Sequence, residues 1–364
     1  MSKKVLVTGV LGQDGANMAE FLLNKNDTIE VYGMMRRTAV PNFKNIKKIK
    51  NHPRFTLVNG DLTDEVSINE LVKKIRPDYF INFAANSFVG CSWDMPMQVF
   101  DVNTLGVIRC LEAIRKFCPE CRFYSAGSSE EFGDVIYSPQ NMDHPMRPRS
   151  PYGASKCSSR HIVKVYRESY NLYAIHGILF NHEGTKRGEE FVTRKISKGV
   201  AEICNSMKGF NNWRERHGEQ AVFHPIELGN LDAKRDWSDS EDFVEGVWLM
   251  LNQEEPKEYL LASGETHSIR EFVEKAFKCA GLEGHWEGDG LEEKFIHFSG
   301  PHKYTLVKIN PKFHRPAEVS LLLGDPTEAK EKLGWNPKNS FDNLVQKMVL
   351  FDLNEVPKET EVSP

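Results

Sequence analysis

The sequence predicts an α/β fold, a doubly wound parallel sheet with a smaller, mostly C-terminal lobe. Three observations carry that expectation. Short apolar runs alternate with helical patterns through the first half of the chain. Gly9, Gly12 and Gly15 fall between the first run and the first helix. The regularity then loosens after residue 180. Alternation at this spacing builds right-handed βαβ units, whose strands share a parallel sheet and whose helices cover both faces.

The elements follow in order. Strands are expected at Val5–Thr8, Ile29–Met34, Phe55–Asn59, Tyr79–Phe83, Arg122–Ala126 and Ala174–Leu179, where β-branched and aromatic residues cluster. Helical periodicity fills Asn17–Leu23, Val66–Ile75 and Thr104–Phe117, and Pro119 stops the last of these before the fifth strand. Beyond residue 180, "NHEGTKRGEEFVTRKISKGVAEIC" reads as a loop and then a helix. Residues 207–224 are polar and irregular, as in an exposed insertion. Strand and helix signals return at Pro225–Leu228 and Asp242–Leu251. "KNIKKIKNHPR" at 44–54 is basic, and a solvated helix face accounts for it better than a binding patch.

Composition narrows the function classes. A net charge of −4 over 364 residues leaves no electrostatic footprint for nucleic acid or an anionic membrane. No apolar run approaches the roughly 20 residues of a bilayer span. "MSKKVLVTGVLGQDG" enters folded structure at once, so no signal peptide is expected. Seven scattered cysteines do not form a disulfide framework, and a cytoplasmic compartment suits them. Cys118 and Cys121 make one C-x-x-C, which reads as a loop with reduced thiols. Zinc would need a second pair at suitable spacing, and no metal site is expected.

The glycine turn lies in "VLVTGVLGQDGANMAEFLL". Glycines there permit a tight turn and let backbone N–H groups approach a pyrophosphate, with the helix N-terminus facing the anion. Gly9, Leu11, Gly12, Gln13, Asp14 and Gly15 are therefore candidate dinucleotide contacts. The second strand decides which dinucleotide. Where a carboxylate would accept from a free ribose, this chain has Arg36 and Arg37, which suit a 2′-phosphate, so NADP is expected over NAD. Asp61 and Leu62 end the third strand at the adenine edge. Phe83, Ala84, Ala85 and Ser87 end the fourth on a floor of mostly small residues. On this reading residues 1–180 form an NADP-binding Rossmann domain, with 225–255 returning to it. Residues 181–224 and 256–355 form the substrate lobe, and 356–364 a flexible tail.

"SPYGASK" sets Tyr152 and Lys156 four apart, on one helix face. A nearby ammonium lowers the cost of ionising the phenol, which can then serve as a base near neutral pH. Together with the glycine turn, this pair resembles the extended short-chain dehydrogenase/reductase family across nearly the whole chain, and members of that family act mostly on nucleotide sugars. Within it, "GQDGANMAEFLL", "RSPYGASK", "YNLYAIHGILFNHEGTKRGEEFVTRKIS", "LGNLDAKRDW", "ASGETHSIREFVEKAF" and "FHRPAEV" narrow the resemblance to enzymes that dehydrate GDP-sugars at C4 to C6. GDP-mannose is the substrate this implies, with a GDP-manno-heptose as the alternative. An epimerase or reductase, or a non-catalytic nucleotide sensor on the same fold, is less well supported.

The resemblance assigns roles. Ser128, Glu130 and Tyr152 form the catalytic trio, with Lys156 in support and Ser129 as an alternative proton relay. Glu130 would remove the C5 proton after oxidation at C4, and no cofactor would be consumed. The adjacent Glu131 reads as structural, facing the other way if the strand continues. His182 and Arg187 would reach the cofactor. Ser87, Asn181, Val192, Lys195, Arg235, Arg315 and Glu318 would hold the GDP-sugar, and a homodimer or homotetramer is implied. Three departures bear on the sugar, one of them the insertion at 207–224, which sits just before the GDP-contact segment "LGNLDAKRDW". The family's usual threonine is Ser128 here, and "NSF" at 86–88 stands where glutamine and histidine usually flank the serine.

Overall fold

The computed structural model describes residues 2–209, 220–313 and 321–355. Arg315, Glu318, most of the expected insertion at 207–224 and the tail 356–364 lie outside the described residues. The chain divides into two compact units. One comprises Met1–His182, Asp236–Thr266 and Leu321–Lys338. The other comprises Glu183–Arg235, His267–Ser320 and Asn339–Pro364.

The first unit is built on six strands of the expected βαβ series: β1 (Lys3–Thr8), β2 (Ile29–Met35), β3 (Phe55–Asn59), β4 (Tyr79–Asn82), β5 (Arg122–Ala126) and β6 (Ala174–Leu179). A seventh, Leu260–Leu261, lies parallel to β6. The spatial order runs from Leu260–Leu261 through β6, β5, β4, β1 and β2 to β3, and every pairing is parallel. Strand order 3-2-1-4-5-6 is that of the Rossmann fold, and it reverses between β1 and β4, where such sheets bind ligands at their carboxyl ends.

Successive strand residues feed opposite faces. Val5 and Val7, Ile81, Tyr124 and Ile175 join one core cluster. Their neighbours Leu6, Phe80, Phe123 and Ala174 join another. Helix α1 (Gln13–Lys25) packs Ala16, Ala19 and Leu22 into the first cluster. Helix α2 (Glu65–Ile75) sends Ile68 and Val72 into the second. It starts where Asp64 accepts a capping bond from the Val66 N–H at 3.0 Å.

The third expected helix begins earlier than its periodicity indicates. Helix α3 (Pro96–Phe100) runs through a π-turn, Asp101–Leu105, into α4 (Gly106–Phe117). Helix α5 (Pro151–Tyr170) opens with proline at its first position and with Ser150 Oγ accepting from the Gly153 N–H at 3.0 Å. The basic segment at 44–54 is not a solvated helix. It makes a 3-10 turn at Lys44–Ile46, buries Ile46, and sends Asn45 Nδ2 to the Leu11 carbonyl at 3.0 Å. Cys118 and Cys121 are free and buried in the turn that follows α4.

The segments that return to the first unit differ from those expected. Residues 225–235 belong to the second unit, while 256–266 and 321–338 belong to the first. One buried carboxylate explains much of this. Asp236 accepts from the backbone N–H groups of Ser263 (2.8 Å), Gly264 (3.0 Å) and Gly324 (3.3 Å), tying three distant segments together. Gln140 adds a second tie, with its backbone and side chain bonded to Leu323 and Asp325.

The second unit holds a four-stranded sheet in the order His285–Glu287, Lys294–Ser299, His302–Ile309, Ile226–Leu228. Helix α6 (Val192–Gly209) packs there with helices Ile269–Cys279 and Phe341–Glu355. Buried Arg194 and Asp352 pair at 2.8 Å, and Ser197 Oγ donates to Asp352 at 2.7 Å. Among the described residues no helix is long and apolar enough to cross a membrane.

Candidate active site

The turn between β1 and α1 is shaped by what glycine allows. Gly9 has φ +66°, and a Cβ on it would sit 2.9 Å from the Ala84 nitrogen. A Cβ on Gly15 would sit 2.4 Å from the Gly9 carbonyl oxygen. The Gly12 N–H closes the turn on that carbonyl at 2.8 Å. Gly12 is also the helix N-cap and offers no side-chain bond, so the first N–H groups of α1 keep their capacity for an anion. Gln13 Oε1 is buried with no hydrogen-bond partner among the described residues. Backbone held this close, at a helix N-terminus that no side chain caps, fits a dinucleotide phosphate.

The β4 end is tied to the same turn. Thr8 Oγ1 donates to Asn82 Oδ1 at 2.6 Å and accepts from the Ala84 N–H at 3.0 Å, which ends β4 at Asn82, one residue before the expected Phe83. Asp61 spends Oδ1 on the Thr63 N–H and hydroxyl, each at 2.9 Å, and Leu62 is buried. Arg36 and Arg37 are exposed just past β2. His182 Nδ1 bonds the Phe180 carbonyl at 2.7 Å, and its Nε2 lies 3.1 Å from Asp14 Oδ2. Its carbonyl accepts from Gln13 Nε2 at 3.0 Å.

The residues expected to carry the chemistry gather at the carboxyl end of β5 and the start of α5. That strand stops at Ala126, and Ser129–Glu131 form a 3-10 turn instead of continuing it. Ser128 caps the turn, its Oγ accepting from the Glu130 N–H at 3.3 Å. Glu130 is half-buried and Ser129 buried. The turn packs on the start of α5 so closely that a Cβ on Gly153 would sit 2.6 Å from the Glu130 carbonyl oxygen. Tyr152 precedes that glycine and is buried. Lys156 Nζ lies 5.8 Å from its ring centroid and donates to the Ala126 carbonyl at 2.6 Å. Burial lowers the Lys156 pKa to about 8, against the opposing pull of Glu131 and then Asp14.

Two features have no signature in the sequence. Asn103, in the π-turn, accepts from the Asn86 N–H at 2.9 Å and donates to Ser155 Oγ at 3.0 Å, stapling the β4 loop to the Tyr152 helix. The buried carboxylate of Glu131 lies 2.9 Å from His176 Nε2. The π-turn is not visible in hydrophobic spacing, and the glutamate–histidine contact spans 45 residues.

The expected sugar-nucleotide ligands are divided between the units. Asn181 lies in the first, where its Oδ1 is buried with no partner among the described residues. Val192, Lys195 and Arg235 lie in the second, as does Arg187, which is expected at the cofactor. Arg187 is engaged there, its Nε 3.0 Å from Glu183 and its guanidinium 3.5 Å from the Phe191 ring centroid. Lys195, in the first turn of α6, has Nζ 3.5 Å from the Phe313 ring centroid, and burial lowers its pKa against the pull of Glu227. Arg235 is buried, with NH1 donating to the Lys234 carbonyl at 2.9 Å.

A Rossmann sheet with a glycine turn at its switch point, and a tyrosine–lysine pair on the helix after β5, places the chain among the extended short-chain dehydrogenases/reductases. Solved structures share the fold. A dTDP-glucose 4,6-dehydratase from Bacillus anthracis in complex with NAD superposes with a TM-score of 0.74 at 20% identity, covering 96% of each chain. A Thermus thermophilus UDP-glucose 4-epimerase complex with NAD gives 0.75 at 23%, covering 96% of this chain and 98% of that one.

The narrower assignment comes from sequence. The family model for GDP-mannose 4,6 dehydratase matches residues 6–348. The Drosophila melanogaster GDP-mannose 4,6 dehydratase is 43% identical, over 98% of this chain and 87% of that protein. The Homo sapiens enzyme is 42% identical, over 96% and 91%, and the Vibrio cholerae enzyme 40%, over 97% and 94%. The chain belongs to the GDP-mannose 4,6-dehydratase family.

Proposed function

We propose that this chain is a cytoplasmic enzyme that converts GDP-mannose to GDP-4-keto-6-deoxymannose, using NADP that is regenerated within each turnover. The observation that carries the reading is the packing of the Glu130 turn against the first turn of α5. The Glu130 backbone meets Gly153, the residue after Tyr152, and Lys156 Nζ lies 5.8 Å from the Tyr152 ring centroid, which supports a shared site for the three.

The dinucleotide would be held by Gly9, Leu11, Gly12, Gln13, Asp14 and Gly15 at the pyrophosphate, and by Asp61 and Leu62 at the adenine. Phe83, Ala84, Ala85 and Ser87 would line the floor, with His182 and Arg187 completing the set. The exposed guanidinium groups of Arg36 and Arg37 support the 2′-phosphorylated form. A bound nicotinamide supplies the reversible two-electron chemistry that opens and closes the cycle.

The protein's own share is proton management. Tyr152 takes the proton of the C4 hydroxyl while Lys156 stabilises the phenolate, and Ser128 Oγ orients the C4 oxygen. A carbonyl at C4 acidifies the C5 proton. Glu130 removes it, and the C6 hydroxyl leaves as water, protonated by Glu130 or through Ser129. C5 is later reprotonated from solvent by way of the same carboxylate. Asn181, Val192, Lys195, Arg235, Arg315 and Glu318 hold the GDP-sugar, the cations matching its diphosphate.

Turnover in deuterated water, followed by NMR, tests this. The expected product is a 4-keto-6-deoxy sugar with deuterium at C5 and no net NADPH, and NADP+ should serve better than NAD+. Stoichiometric NADPH consumption would make the enzyme a reductase. Silence on GDP-mannose but turnover of a GDP-manno-heptose would move the substrate. The assembly proposed with this function is a homodimer or homotetramer. Light scattering at the 41.6 kDa of one chain would remove that assignment.

A further inference from the structure

That mechanism leaves the pair behind the Glu130 turn unused. Glu131 Oε1 accepts from the Ser128 backbone N–H at 2.8 Å and from His176 Nε2 at 2.9 Å, and both residues are fully buried. The Glu131 carbonyl accepts from the Arg147 N–H at 3.1 Å. A Cβ on Gly127 would stand 2.5 Å from His176 Nε2 and 2.8 Å from Glu131 Oε1, so only glycine lets the end of β5 come this near. An apolar pair of equal volume would fill the space without the desolvation that a buried carboxylate incurs.

We propose that Glu131 and His176 are positioning residues for the reaction: their pair fixes the Ser128–Glu130 turn and holds a carboxylate against Gly127, the residue after the Ala126 carbonyl that Lys156 binds. Its use in catalysis rests on the functional reading above, while its chemistry does not. Burial opposes ionisation of Glu131. His176, the Ser128 N–H and the charge of Arg160 nonetheless hold its carboxyl below the usual range. The groups that feel Glu131 are Lys156, Cys157 and Arg160 from α5, His176 from β6 and Tyr124 from β5. Asp14, from α1, is the other carboxylate acting on Lys156. Without Glu131, the ammonium beside Tyr152 keeps one carboxylate fewer to offset its desolvation.

The test is a pH titration of the full-length protein carrying 13C-labelled lysine, read by NMR, together with the pH profile of kcat/KM. Lys156 should titrate near pH 8, with Lys156→Arg identifying its signal. Glu131→Gln keeps the acceptor oxygen and loses the charge. Its expected effect is to lower the Lys156 midpoint by about one pH unit and to move the alkaline limb of kcat/KM down equally. His176→Gln, which retains a donor, should stay near wild type, whereas His176→Leu should shift in the Glu131→Gln direction. A Lys156 midpoint unmoved in both Glu131→Gln and His176→Leu overturns the proposal. Should Glu131→Gln not fold, the contrast between His176→Gln and His176→Leu decides the same question. Should the wild type turn over no GDP-sugar, the functional reading fails while the lysine titration still decides the pair.

Discussion

Replacing Gly15 by alanine adds one methyl group where the backbone has no room. Its Cβ would stand 2.4 Å from the Gly9 carbonyl oxygen, 2.6 Å from the Gly9 carbonyl carbon and 2.8 Å from the Val10 Cα. Ordinary contact starts near 3.4 Å, so the turn must open by about 1 Å. All three neighbours are main-chain atoms, and no rotamer change relieves them. Overpacking by a methyl costs about 1–3 kcal/mol. The strain falls on the turn whose N–H groups would face the pyrophosphate, so NADP+ affinity should drop by about 5- to 150-fold. Gly12→Ala is the internal comparison. Its Cβ meets only the Gly9 oxygen, at 3.2 Å, a few tenths of an ångström too near. Its φ of −80° suits any residue, and its affinity loss should be about threefold or less. Calorimetric titration with NADP+, beside a thermal melt of each variant, reads both. A Gly15→Ala protein that binds NADP+ as wild type does, or a Gly12→Ala protein that binds worse than Gly15→Ala, would refute the reasoning.

Other outcomes follow from single groups. Glu130→Gln should bind NADP+ normally and lose dehydration together with C5 deuterium exchange, and normal turnover would remove the role given to Glu130. Lys156, lowered to about 8 by burial, should make kcat/KM fall about tenfold per pH unit above that value as its ammonium is lost. Stability moves the other way. The folded pKa lies below the ordinary 10.5, so folding disfavours the charged amine. That penalty is full below pH 8 and lifts as pH rises towards 10.5, worth about 3 kcal/mol in all. Thermal melts across this range therefore distinguish loss of the ammonium from unfolding. Asp352→Asn should cost about 3–5 kcal/mol in denaturant unfolding, because it leaves buried Arg194 without its charge partner. A loss below about 1 kcal/mol, the scale of an exposed pair, would contradict the burial.

Much of the first unit was legible because a parallel sheet covered on both faces writes itself in short, continuous apolar runs and in glycine. β3, β5 and β6 stand where their apolar runs place them, since alternate residues must face two different cores. The division of the chain was less legible. What returns Asp236–Thr266 and Leu321–Lys338 to the first unit is a set of bonds to one carboxylate, Asp236, and no local pattern announces which distant N–H groups an aspartate will bind. The basic run at 44–54 misleads for a related reason. Its lysines dominate the composition, but Ile46 and the Leu11 contact of Asn45 decide its conformation.

The two glutamates after β5 show where sequence reasoning about a site reaches its end. If the strand continued, Glu130 and Glu131 would face opposite sides of the sheet by alternation. The strand stops at Ala126, and the pair lies instead in a 3-10 turn, where successive side chains diverge by about 120°. Glu130 then remains half-open to solvent, and Glu131 turns wholly inward onto His176. A glycine at 127 is required for that inward turn, because any Cβ there would meet the histidine. The residue types were visible from the start. Which carboxylate stays open to solvent, and which is buried on His176, depends on a turn geometry that Ser128 imposes by capping. The separation of those two roles is a tertiary fact, and Glu131→Gln against Glu130→Gln is the comparison that exposes it: the first should shift a pH limb, the second should remove the chemistry.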